Sequence, residues 1–271
     1  MLLALAHARR LRGESQPQLM RCVDGKRYVV KFQNNPQGIR VLANELLGTK
    51  LAAFLGLPVF PPRVVHVSDE LIEGTKGLSV RRGAEHFRCT PGLQFGSLYS
   101  GSSAAKNVSL LFPPGLLHRV SNIEDFWGML VFDKWTCNTD QRQVVFLPEE
   151  SSGNYRAVMI DNGYCFNGPA WDFPDAPLRG LYPHGCAYKD VRGLESFAPW
   201  FERIQEVSLG LLCEAAAAVP REWLNSRGRD EFEGLLERLW IRRTRVPQLV
   251  LASVRCCRDL FPGWREPALL R

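Results

Sequence analysis

Polar and apolar positions along the first third of the chain predict strands around one helix. Gln18–Cys22 and Arg27–Phe32 read as a hairpin about a turn at Asp24-Gly25, the second strand being built on the β-favouring run Tyr28-Val29-Val30. Lys31 falls late in that second strand. After the break at Asn34-Asn35-Pro36, apolar Ile39, Leu42, Ala43, Leu46, Leu47, Leu51 and Phe54 recur at intervals of three and four, which predicts an amphipathic helix ending at Gly56 before Pro58. Glu45 lies on this helix at the edge of its apolar stripe. Val64–Val67 and Leu78–Val80 read as further strands completing a small antiparallel unit, and the Gly/Ser-rich segment Phe95–Ala105 reads as an irregular loop.

The rest of the chain changes period. Ile123–Trp135 is apolar enough for a buried helix, and it runs directly into Asn138-Thr139-Asp140. Val144–Leu147 and Arg156–Ile160 pair as strands across Ser151-Ser152-Gly153-Asn154, and the second delivers Asp161 to a loop. From Leu194 onward the pattern is helical, over Phe201–Ala218, Arg229–Arg243 and Pro247–Arg258. The expected class is therefore α+β, with a β-rich front and a helical rear.

Composition sets bounds on this picture. At 271 residues and 45% hydrophobic content the chain can bury a large core as a soluble globular protein, in one two-part domain or two small ones. The formal charge of +6 and the cluster Arg242-Arg243-Thr244-Arg245 suit acidic ligands or nucleic acid, although a solvated helix face explains the cluster more simply. Eight cysteines show neither CxxC pairing nor zinc-type spacing, as expected of reduced, mostly buried thiols. Met1–Ala8 is apolar but too short to span a membrane and lacks the basic stretch that precedes a signal sequence. A cytoplasmic protein is the default expectation.

Three residues carry the candidate chemistry. A transferred phosphoryl group bears dispersed negative charge, so its site needs a fixed cation, a carboxylate to hold metal and a second carboxylate to orient the attacking hydroxyl. Lys31, Asp161 and Asp140 suit those roles in that order. A strand lysine is also compatible with a snorkelling side chain, and Asp140 with an ordinary turn.

The ordered set Gly13-Glu14-Ser15-Gln16-Pro17-Gln18-Leu19, Val30-Lys31-Phe32, Asn44-Glu45-Leu46, Asn138-Thr139-Asp140 and Ile160-Asp161-Asn162-Gly163 resembles the HipA-like kinases, relatives of the protein kinase and phosphoinositide kinase folds. It spans residues 10–170. The resemblance implies a bilobal kinase-like fold, with a small antiparallel β lobe carrying one main helix over residues 1–85 and a larger, mostly helical catalytic lobe over 86–271. It also implies ATP and Mg2+ as cofactors, a protein Ser/Thr hydroxyl as acceptor and an antitoxin-like or regulatory protein partner. Carried over by position, Gly13, Ser15 and Gln16 would belong to the phosphate-covering loop. Lys31 would contact the phosphates with Glu45 holding its ammonium, Asp140 would be the catalytic aspartate, and Asp161 would bind the metal.

The chain departs from the family at three places. Gln18 stands where family loops often carry a lysine. Arg142 and Val145 replace the histidine two residues, and the metal-binding asparagine five residues, after the catalytic aspartate. Valine offers no oxygen, so Gln143 is the candidate second metal ligand, with Asn138 behind it. The stretch Phe166–Tyr182, dense in proline and aromatic residues, occupies the position of an activation or substrate loop. There Trp171, Phe173 and Tyr182 suit core packing better than a substrate wall, and Arg179 suits a phosphate or an acidic partner. Two alternatives stay open: a nucleotide-binding pseudokinase acting as an interaction module, and a basic nucleic-acid-binding protein on a kinase-like scaffold. With no helix-turn-helix pattern, direct nucleic-acid binding is not expected.

Overall fold

The computed structural model describes residues 1–99, 112–224 and 226–265. Its first element is β1 (Leu2–Arg10), followed by β2 (Gln18–Cys22), β3 (Arg27–Lys31), the helix α1 (Arg40–Phe54), β4 (Pro62–Val67), a short α2 (Asp69–Gly74), β5 (Ser79–Arg82), β6 (Glu85–Arg88) and β7 (Gly92–Leu98). Five of these strands close a barrel in the order β1-β2-β3-β7-β4, while β5 and β6 form a separate hairpin. The expected hairpin β2–β3 forms, with Gln18 opposite Val30.

Two barrel strands differ from expectation. In β1, Leu2, Ala4 and Ala6 turn inward while Leu3 and Leu5 stay 42% and 51% exposed, so both faces are apolar and the alternation is erased in the residue types. In β7, which occupies the first part of the expected loop, Gln94 is buried and accepts from the Gln33 amide at 2.8 Å. The remainder of that expected loop lies outside the described residues. β7 sits between β3 and β4, so the barrel runs past residue 85, where the first lobe was expected to end. Nor is the sheet wholly antiparallel: β1 and β4 pair in parallel, Leu2 opposite Val65 and Leu3 opposite His66.

The barrel is filled by Met20, Val30, Phe32, Val65, Val67, Leu78 and Val80. Helix α1 is buried on nearly every side. Its Leu42, Leu46, Leu47 and Leu51 belong to a larger core shared with α3 (Asp125–Thr136), which contributes Phe126, Leu130 and Trp135. A hairpin of β8 (Gln143–Pro148) and β9 (Tyr155–Ile160) follows α3, with Gln143 opposite Ile160 and Val145 opposite Val158. The amide of Met159 donates to the Pro58 carbonyl at 2.8 Å, which ties this hairpin to the segment after α1.

The rear is helical: α4 (Ala198–Gln205), α5 (Leu209–Ala216), α6 (Ser226–Arg242) and α7 (Val246–Cys256). The single helix expected over 201–218 is broken at Val207-Ser208, because the Ser208 side chain accepts from the Leu211 amide at 3.1 Å and so starts a new helix. All eight cysteines are free, and Cys22, Cys89, Cys137 and Cys165 are buried. Among the described residues, no helix is long and apolar enough to cross a membrane. The arginine cluster is no open basic patch. Arg242 is buried and pairs with Asp175, Arg245 reaches the same carboxylate at 2.7 Å, and Arg243 lies over the Trp240 ring.

Candidate functional site

Alternation along β3 turns Val30 into the barrel and its last residue, Lys31, toward α1 and the loop after β9. The Lys31 ammonium is buried between two carboxylates. It donates to Glu45 Oε1 on α1 and, at 2.9 Å, to Asp161 Oδ1 just beyond β9. Glu45 uses its other oxygen to accept the Asn162 amide at 3.0 Å, so one carboxylate holds both the lysine and the loop bearing Asp161. Gly163 permits this approach, since a Cβ there would lie 2.7 Å from Val41 of α1. Asp161 itself takes a left-handed backbone at φ 60°, an uncommon conformation that aspartate tolerates better than most residues.

Charge follows from this geometry. Burial would raise the Asp161 pKa, but the adjacent Lys31 ammonium overrides it and holds the group down at about 2. Burial dominates at Glu45 and raises its pKa, with Lys31 opposing and Asp161 adding to the shift. For Lys31 the cost of burial is outweighed by Asp161 first and Glu45 second, so its pKa rises. The site therefore keeps a permanent cation and an ionised Asp161 near neutral pH.

Asp140 is placed by a different network. Helix α3 ends at Cys137 in a left-handed C-cap, and the chain turns into Asn138-Thr139-Asp140. Asn138 is buried, with its side chain donating to Asp133 Oδ1 at 3.0 Å and accepting from the Asp140 amide at 3.1 Å. Both ends of the Asn138 side chain are thus engaged in shaping the turn. Arg142 is buried against Asp133, donates to the Ile160 carbonyl at 2.8 Å and to Asn162 Oδ1 at 3.2 Å, and so binds the Asp140 loop to the Asp161 loop. Its charge is stabilised by Asp133 against the cost of burial, which raises its pKa.

These residues meet in one cleft of about 1230 Å3 between the barrel and the rest of the chain. Gly13, Ser15, Lys31, Glu45, Asp140, Gln143 and Asp161 all line it. Gln16 does not: its side chain accepts from and donates to the backbone of Arg81 on β5, at 2.8 and 2.6 Å, and so props the 11–17 loop from behind. Gln18 is likewise turned inward, bonded to His7 at 2.9 Å. The cleft wall also includes the apolar side chains of Val29, Phe60, Leu98 and Met159.

The residues present fit a nucleotide with a hard cation. The volume exceeds the several hundred Å3 typical of small-molecule sites. Among the described residues no cluster of three or more His, Cys, Asp and Glu is placed to hold a metal; Asp161 and Gln143 in the cleft wall carry the oxygens that a hard cation takes as ligands. Gln143 faces Ile160 across the hairpin, one residue from Asp161, and its amide nitrogen reaches toward Asp140 Oδ2 at 3.4 Å, leaving the amide oxygen without a donor among the described residues. Val145 lines the same cleft two residues further along β8 and has no oxygen to offer.

Sequence reasoning gave no role to Asp133, Asn44, Thr49 and Asn162; Thr49 and Asn162 line the cleft, while Asn44 and Asp133 support it from behind. The Asn44 side chain donates to the carbonyls of Gly163 and Gly168 at 2.8 and 2.9 Å and accepts from the Trp171 indole, while Asn162 donates to Thr49 at 3.0 Å. Polar residues inside the apolar spacing of α1 were the one available signal. Trp171 and Tyr182 are buried against Phe232 and Phe126, and Phe173 packs near Phe166, so none of the three lines the cleft.

Among solved structures, the chain is similar to the proinflammatory kinase CtkA of Helicobacter pylori, with a TM-score of 0.56 and 12% identity over 92% of this chain and 94% of that one. It is also similar to the Golgi casein kinase solved with Mn and ADP bound, with a TM-score of 0.58 and 13% identity over 99% of this chain and 78% of that one. At such identities the likeness is one of fold. No curated protein matches the sequence. The HipA-like kinase family matches residues 6–147, more than half of the chain, and the protein belongs to that family.

Proposed function

We propose that this protein is an ATP–Mg2+-dependent phosphotransferase acting on a protein Ser/Thr hydroxyl, built as two lobes that meet after Leu98. The observation that supports this most directly is the buried Lys31 ammonium held between Glu45 and Asp161, in the cleft that also contains Asp140. A kinase fold in this family, and a fold neighbour solved with Mn and ADP, are consistent with it.

Bound ATP with Mg2+ supplies the phosphoryl group and the cation that offsets its charge. Lys31, pinned by Glu45, presents a fixed positive charge to phosphate oxygens. Gly13 and Ser15 offer the backbone of the 11–17 loop from above. Asp161, held ionised, and the Gln143 amide present oxygens to the cation. Asp140 accepts the proton of the acceptor hydroxyl and aims its oxygen.

One observation favours a second reading. Val145 in the cleft wall removes an oxygen that the family resemblance expects, which suits a nucleotide-binding pseudokinase. Incubation with γ-labelled ATP and Mg2+ decides between them. Label on the protein itself or on added polypeptide, lost in Asp140→Asn, supports transfer; ATP binding without label transfer supports the pseudokinase.

A further inference from the structure

We propose that Arg179 selects the acceptor by binding an acidic side chain beside the hydroxyl that Asp140 addresses. The inference rests on the phosphotransferase reading and names its substrate class, an acidic polypeptide segment.

The first observation is how firmly Arg179 is placed. The Gly180 amide donates to the Asp140 carbonyl at 2.9 Å, and the Arg142 amide donates to the Leu181 carbonyl at 3.1 Å, so the excursion runs beside the catalytic loop in strand-like fashion. Gly180 adopts φ +64°, and a Cβ there would lie 2.7 Å from Asp133, so no other residue allows this approach without displacement. From below, the buried Lys134 ammonium donates to the carbonyls of Ala176 and Pro177, each at 3.1 Å, and to that of Arg179. Arg242 adds a bond to the Phe173 carbonyl at 3.2 Å.

The second observation is what this scaffold leaves outside. Arg179 is exposed and lines the cleft that contains Asp140. Arg142, Arg242 and Arg245 have carboxylate partners, whereas among the described residues the Arg179 guanidinium has no acceptor. Arg9, Arg10 and Arg12 line the same cleft, also without an acidic partner among the described residues. A rigid backbone carrying a free planar fork recognises carboxylates with little ordering cost. An acidic segment entering beside Asp140 would thus be met by a preplaced cation.

The test uses the full chain, ATP–Mg2+ and synthetic serine peptides on an alanine background flanked by Asp, Ala or Lys. The Asp-flanked peptide should exceed the Ala-flanked one about tenfold in kcat/KM, equivalent to about 1.4 kcal/mol. Arg179→Glu should reverse the order in favour of the Lys-flanked peptide, and Arg179→Lys should keep part of the original preference. Equal use of the three peptides by the wild type, an unchanged preference in Arg179→Glu, or a larger rise in KM for ATP than for peptide would overturn the proposal while leaving the kinase reading standing. If neither a peptide nor the protein itself is labelled, that reading fails. Fluorescence anisotropy with the labelled Asp-flanked peptide then decides docking on its own: binding lost in Arg179→Glu supports the proposal, and no binding overturns it.

Discussion

Lys31 and Asp161 stand 130 positions apart in sequence, yet the Lys31 ammonium donates to Asp161 Oδ1 at 2.9 Å. The contact joins the last residue of a barrel strand to the first residue beyond a hairpin in the other half of the molecule. With Glu45 as the third member, one cation faces two carboxyl groups that burial would otherwise penalise.

Lys31→Met is therefore expected to do more than weaken ATP binding. Removing the cation leaves Glu45 and Asp161 uncompensated, at a cost of about 3–5 kcal/mol in stability. Glu45 already has a raised pKa and would rise further in the variant. A group with a folded pKa above its unfolded value stabilises at low pH and loses that contribution as pH climbs through the folded value. Urea denaturation should accordingly show a smaller deficit for the variant at pH 5 than at pH 7; an equal deficit at both would separate Glu45 from the lysine.

Asp161 and Asp140 should fail differently. Asp161→Ala removes the oxygen proposed for the cation and should abolish the Mg2+ dependence of ATP binding, read by calorimetry with and without the metal. Asp140→Ala should bind ATP–Mg2+ normally and lose transfer by at least the ~10²-fold typical of a general base. Matching phenotypes would refute the division of roles.

Gln143 carries the claim that the metal shell has been rearranged. Gln143→Ala should lower kcat at least about tenfold, the equivalent of about 1.4 kcal/mol of transition-state stabilisation. Gln143→Asn should recover part of this, because the shorter arm starts from the same strand position opposite Ile160. Transfer rates indistinguishable from wild type in Gln143→Ala would remove the residue from the site.

Arg142 offers a test of positioning. Arg142→Met leaves the fully buried Asp133 without its charge partner, costing about 3–5 kcal/mol, and frees the Asp140 loop from the Ile160 and Asn162 contacts. The expected signature is a fall in kcat with little change in the KM for ATP, recovered in part by Arg142→Lys. A stability loss with kcat intact would make Arg142 purely structural.

Much of the molecule is legible from residue order. The β2–β3 hairpin, α1, α3, the β8–β9 hairpin and the rear helices α6 and α7 follow local periodicity, because each buries a face whose spacing matches its own repeat. The order Lys31, Glu45, Asp140, Asp161 is likewise legible, since each falls at an element end or on a helix that the pattern predicts. β1 and β7 are not: apolar residues on both faces of the first, and glycine, serine and a buried glutamine in the second, remove the alternation that marks a strand.

Tertiary structure alone decided how these pieces meet. Barrel closure depends on a parallel pairing between the first strand and one some sixty residues later, for which no local spacing is diagnostic. Gln16 looked like part of a phosphate loop, but its amide found backbone partners on β5, and Gln18, which stands where family loops often carry a lysine, bonds to His7 of β1. Arg142 occupied a position where the family pattern expects histidine, and its meaning emerged only with Asp133 beneath it and the Asn162 loop beside it. Periodicity records which face of an element is buried; the partner of a buried polar group is set by whatever distant segment packs against that face.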